Sequence, residues 1–156
     1  MREYHYRADT DGRIFHDGTE IVDPATLRFF VLAMQQVPDG RYLALCQGER
    51  NWFEPALGEG DTPLVVQRLR LAVADGRLAG VEVGLPGDHW EALDAGSLES
   101  VQDRLYCRVR RGALRARLGR VALSQLAPFL SDDEGAATLA LGGARHVIVE
   151  RAPVPI

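Results

Sequence analysis

Short alternating runs broken by glycine dipeptides constrain this chain more than any other feature. Asp11-Gly12, Asp17-Gly18, Asp75-Gly76, Arg111-Gly112 and Gly142-Gly143 each stand beside residues of strand-forming type. Such pairs supply the left-handed backbone that a two-residue hairpin turn needs. They predict strands over 3–8, 13–16 and 19–22, and hairpins of 64–74 with 77–83, 105–110 with 113–118, and 137–141 with 145–150. Two helices interrupt this pattern. Asp23-Pro24 is an N-cap followed by proline at the first helical position. Leu27, Phe30, Val31, Met34 and Val37 then share one helical face, and Pro38-Asp39-Gly40 turns the chain into a strand over 41–47. Residues 121–130 suit a shorter helix, weakened in its last turn by Pro128. Residues 54–63 read as a turn-rich loop, 88–103 carry no clear period, and 152–156 read as an extended tail.

No long helix joins parallel strands, which argues against a doubly wound sheet. The expected fold is α+β with mostly antiparallel sheet, in one domain over residues 1–156. Hairpin, helix and strand recur in that order at about 13–47 and 105–141, which predicts two related halves. With 156 residues and 46% hydrophobic content, the chain can bury a core without a metal or a disulfide. No apolar run approaches the ~18 residues of a membrane span, and no signal-peptide pattern precedes the first strand. The cytoplasm is therefore the expected compartment, with Cys46 and Cys107 as reduced thiols.

All 18 basic residues are arginine. The missing lysine excludes a P-loop lysine, a Schiff-base lysine and a Ser–Lys dyad. Gly-x-Ser-x-Gly, Cys-x-x-Cys and His-Glu-x-x-His are also absent from the sequence. His5, His16, His89 and His146 are scattered without ligand spacing, so neither a metal nor another cofactor is expected. A net charge of −4 argues against general nucleic-acid binding. That average hides an asymmetry: residues 49–103 hold eleven acids and four arginines, and residues 104–120 hold seven arginines and no acid.

With a two-residue turn at Arg111-Gly112, Val109 faces Leu114, Cys107 faces Ala116 and Leu105 faces Leu118 on one apolar side. Arg104, Tyr106, Arg108, Arg110, Arg115 and Arg117 take the other side, with Arg108 opposite Arg115. Like charges across a strand pair repel, so negative charge is expected nearby. The acids of 49–103 are the first source; an anionic ligand or an acidic partner surface is the second. The string from Cys46 to Phe53 is the other candidate. There Glu49 is a general acid/base or ligand acceptor, Arg50 an anion clamp and Asn51 an orienting donor, on a turn running from Gly48 to Trp52. Trp52 and Phe53 are core or a ligand wall. Cys46 would need His5 or His16 nearby to serve as a nucleophile. Asp61-Thr62-Pro63 reads as a capped turn entering a strand.

Arg2-Glu3-Tyr4-x-Tyr6, the two Asp-Gly turns, Gly40-Arg41-Tyr42, Cys46-x-Gly48-Glu49-Arg50-Asn51-Trp52 and Asp61-Thr62-Pro63-Leu64-Val65-Val66 occur in that order. This string resembles an uncharacterised protein family with bacterial members and an animal mitochondrial one. The match covers residues 1–68 and thins to scattered positions such as Arg104-Leu105-Tyr106. It implies a shared scaffold and no activity. Trp52 stands where that family has phenylalanine, and the arginine hairpin replaces its glycine-rich segment. More distantly, the layout is similar to a bacterial family of unknown function, built from two repeated α+β motifs and suggested to act in signalling.

The leading expectation is a non-enzymatic binding or regulatory module that contacts a protein partner or an anionic small molecule. Its candidate contacts are Cys46, Glu49, Arg50, Asn51, Trp52, Arg108, Arg110, Arg115 and Arg117. The alternative is a small hydrolase or transferase acting on a phosphorylated or carboxylated metabolite, with Glu49 and the arginines converging in one pocket. Pairing of edge strands between copies would give a homodimer.

Overall fold

The computed structural model describes residues 1–153, so residues 154–156 at the end of the expected tail lie outside it. Strands β1 (Arg2–Ala8), β2 (Ile14–His16) and β3 (Thr19–Glu20) lead into helix α1 (Pro24–Ala33). Asp23 caps that helix, its carboxylate accepting the Thr26 amide at 3.0 Å. Strands β4 (Met34–Gln36), β5 (Tyr42–Cys46) and β6 (Glu49–Glu54) follow. The six form one sheet in the order β3-β2-β1-β6-β5-β4, with β1 and β6 parallel.

Two of the predicted boundaries are corrected here. The helix stops at Ala33, because Met34 turns extended and β4 pairs with β5 across the Val37–Arg41 turn. Met34 is buried all the same, which is why its position fitted the helical face. The expected turn from Gly48 to Trp52 is strand β6, and only Gln47 and Gly48 turn, with φ of 45° and 80°.

The rest of the chain builds three smaller sheets. Val65–Val66 (β7) is split from Arg68–Ala74 (β8), so the expected 64–74 strand serves two sheets. Strand β8 pairs with β9 (Arg77–Leu85), and β9 with β10 (His89–Ala92). Strands β11 (Glu99–Val101), β12 (Arg104–Val109) and β13 (Leu114–Leu118) precede the seven-residue helix α2 (Arg120–Leu126). Strands β14 (Leu130–Asp133), β15 (Ala136–Leu141), β16 (Ala144–Val147) and β17 (Val149–Arg151) complete the order. The third sheet runs β17-β11-β12-β13-β7, and the fourth β14-β15-β16. Antiparallel pairing dominates; β1 with β6, β11 with β17 and β13 with β7 are parallel. Buried apolar side chains from all these sheets and both helices form one contiguous cluster. Among the described residues no helix is long and apolar enough to cross a membrane.

Helix α1 is clamped where it meets the β9–β10 turn. Arg28 Nε donates to the Gly87 carbonyl at 3.1 Å. A Cβ on Gly87 would lie 2.3 Å from the Arg28 amide nitrogen, at a φ of +82°, so both conformation and space require glycine there.

Candidate functional site

Strand alternation decides which of the candidate residues can act together. On β6, Glu49, Asn51 and Phe53 face α1, whereas Arg50, Trp52 and Glu54 face the other way. A groove of about 410 Å³ opens between α1 and the end of the β5–β6 hairpin. Tyr6, Phe29 and Phe30 form its aromatic walls, Ala25 and Thr26 its helix edge, and Cys46, Glu49 and Asn51 its polar end. Cys46 and Glu49 are cross-strand partners beside the turn. Asn51 is buried and donates through Nδ2 to the Ala44 carbonyl at 3.1 Å, which leaves its amide oxygen as an acceptor. Tyr6 stacks on Phe53 at 5.3 Å and tilts against Phe30 at 5.0 Å. Burial, the neighbouring Tyr4 and the Glu49 charge push the Tyr6 phenol above its usual range. Among the described residues, the Glu49 carboxylate has neither an ion pair nor a side-chain hydrogen bond.

Arg50 and Trp52 belong to the opposite surface. Arg50 reaches Glu3 at 3.4 Å, and the Arg41 guanidinium lies 4.1 Å over the Trp52 ring. These two residues therefore share no cavity with Glu49.

The arginine hairpin has the expected register, with Cys107 opposite Ala116, Arg108 opposite Arg115 and Val109 opposite Leu114. Its apolar side is buried throughout. The polar side is partly covered by the 58–64 loop. Asp61 accepts the Tyr106 hydroxyl at 2.7 Å and stands 3.7 Å from Arg117 Nε. Tyr106 and Arg117 are only 2% and 7% exposed, so the group is shut off from solvent, with Asp61 Oδ2 and Arg117 Nε paired by charge but not by a hydrogen bond. Burial, then the bond to Asp61, raises the Tyr106 pKa to about 12. Arg115 stacks 4.2 Å over Tyr106, donates to the Gly60 carbonyl at 2.8 Å and approaches Glu99 at 3.8 Å. Arg110 donates to the Met34 carbonyl, and its amide donates to Glu91 at 2.7 Å. Arg108 is exposed and has no ion pair among the described residues. The acids of 49–103 thus neutralise part of the ribbon.

The other thiol is closed off. Burial, with Glu91 and Asp94 nearby, pushes Cys107 up to about 12, whereas Cys46 is half-buried at the groove.

The chain's fold has solved counterparts in two bacterial DUF1285 proteins. A crystal structure of a DUF1285 family protein from Silicibacter pomeroyi DSS-3 is similar at a TM-score of 0.69 and 18% identity, covering 94% of this chain and 82% of that one. A second, from Shewanella baltica OS155, is similar at a TM-score of 0.58 and 16% identity, covering 79% of this chain and 90% of that one. At these identities the likeness is one of fold. No family model and no curated protein matches the sequence.

The candidates therefore divide into four places. Cys46, Glu49 and Asn51 meet in the groove; Arg50 and Trp52 lie on its reverse; Arg110, Arg115 and Arg117 hold backbone and acids; Arg108 faces solvent. Sequence reasoning missed Tyr6, Thr26 and Phe29 at the groove, and the buried role of Asp61. The period-2 alternation of β1 and the Phe29-Phe30 pair were the signals for the first group.

Proposed function

We propose that this chain is a non-enzymatic binding module whose ligand site is the groove between α1 and the β5–β6 hairpin. One observation carries the reading: a partly apolar cavity whose polar end holds the free Cys46 thiol and a Glu49 carboxylate with no partner among the described residues. The hydrolase or transferase alternative required Glu49 beside an arginine clamp, and the described lining of the groove contains no arginine. An anionic or acidic partner is the second reading, and it rests on Arg108, exposed opposite Arg115 with no ion pair among the described residues.

Two related halves form part of the proposal, drawn wider than the expected 13–47 and 105–141, from β1 to β6 and from β11 to β17. The order β3-β2-β1-β6 is matched by β13-β12-β11-β17; in each, a helix follows the first three strands and the first strand pairs in parallel with the last. Kinship with the family that has an animal mitochondrial member draws on the ordered string over residues 1–68. A cytoplasmic location fits two free thiols.

Ligand-observed NMR with a fragment collection tests the groove. Hits are expected that lose binding in Ala25→Phe, which fills the groove from the helix edge. Absence of hits, or hits indifferent to that substitution, would overturn the reading.

A further inference from the structure

The charge inside the groove says what kind of ligand it fits. We propose that it takes a small molecule carrying an ammonium group on an apolar or aromatic body, with Glu49 as the counter-charge. The inference rests on the binding reading above and names its ligand class.

Glu49 supplies the only formal charge in the described lining of the groove. Tyr6 lines the same groove, and after burial and Tyr4 the Glu49 charge is the smallest of the three causes that lift its phenol. Arg50, next in sequence, is turned to the opposite face. Arg2 is the register neighbour of Glu49 on β1 and shares its side of the sheet, yet it is exposed and forms no ion pair with it. The remaining walls are the rings of Tyr6, Phe29 and Phe30, whose faces carry the negative end of an aromatic quadrupole and attract cations. Phe29 is 39% exposed, a large apolar surface with little covering it in the free protein. An ammonium N–H could donate to the Glu49 carboxylate and to the Asn51 amide oxygen, while its apolar body covers Phe29. An anion would instead meet an uncompensated carboxylate. The net charge of −4 adds a long-range field of the same sign.

The molecule offers its own precedent. Asp61 accepts the Tyr106 hydroxyl, and there Arg117 and Arg115 supply the cation. At the groove none of the described lining residues is a cation.

Benzylamine, benzyl alcohol and benzoate share a ring and differ in charge, so amide chemical-shift titrations with the three separate charge from shape. Wild-type protein at neutral pH and low salt is expected to bind the amine about tenfold more tightly than the alcohol, and benzoate most weakly. Glu49→Gln is expected to bring amine and alcohol to equal affinity, and Arg2→Gln to leave the amine bound at least as well. Equal affinity for amine and alcohol in the wild type, or a preference for benzoate, would overturn the ammonium inference while leaving a binding groove in place. No groove shifts with any of the three would overturn both.

Discussion

Asp61 and Glu49 are both carboxylates near a tyrosine, but the fold treats them in opposite ways. Asp61 is enclosed by the 58–64 loop, bonded to Tyr106 and faced by Arg117. Thr62 fixes that loop by donating to the Arg115 carbonyl at 2.7 Å and accepting the Leu64 amide at 3.1 Å. Glu49 lies at the end of a hairpin, in an open groove with aromatic walls and no guanidinium among its described lining residues. The first arrangement spends its charges on joining two parts of the chain. The second leaves a carboxylate with no ion pair among the described residues, which is the charge the proposed ligand would meet.

Removing each acid in turn breaks the comparison most severely. Asp61→Ala strands the Arg117 charge and the Tyr106 hydroxyl in a buried place, at an expected cost of about 3–5 kcal/mol. Glu49→Ala is expected to change stability by no more than about 0.5 kcal/mol. Urea denaturation of the two variants measures both, and equal losses would erase the distinction.

Gly87→Ala attacks the groove wall rather than the acid. A Cβ there meets the Arg28 backbone at a positive φ, so a loss of roughly 2–3 kcal/mol is expected. Groove ligands are also expected to bind less well, because Arg28 anchors α1 to this turn. Undiminished stability in the same denaturation assay would show that the clamp does not hold the helix.

Alkaline pH sharpens the contrast at Asp61. Tyr106 ionises near 10 when unfolded and at about 12 when folded, so the folded state holds its proton more tightly. That contribution is fully present below pH 10 and is lost as pH rises toward 12. Tyr106→Phe is expected to flatten this alkaline limb of the stability curve. An unchanged limb would place the phenol outside the network.

Much of this was legible before any coordinates. Asp-Gly, Arg-Gly and Gly-Gly turns fixed the hairpins, and period-2 alternation placed the buried side of the arginine ribbon correctly. Asp23-Pro24 located the start of α1 because capping is a local interaction. Its end was misjudged, since Met34 is buried equally well as a strand residue paired with Ala44. The polar string 49–52 read as a loop for a related reason. Gln47-Gly48 is a quieter turn signal than Asp-Gly, and strand β6 keeps a carboxylate and an amide on its inner side to line the groove. Glu49 and Arg50 are adjacent in sequence, and one residue of alternation sends them to opposite surfaces. Asp61 looked like an ordinary turn cap because its partners lie 45 and 56 positions away, a distance no local pattern spans.

The two thiols extend the comparison at the smallest scale. With a pKa of about 12, Cys107 keeps a thiolate fraction on the order of one in ten thousand at about pH 8. Native alkylation is therefore expected to stop at one equivalent, on Cys46, as read by peptide mapping. Modification of Cys107 at a similar rate would contradict the closed core around it.

Because Cys46 shares the groove with Glu49, its alkylation rate reports occupancy without a label. Benzylamine is expected to slow the reaction at Cys46 several-fold in the wild type, benzyl alcohol to slow it less at equal concentration, and Glu49→Gln to remove the difference. A Cys46 rate that amine and alcohol alter equally, or not at all, would contradict the claim that this open carboxylate waits for a cation.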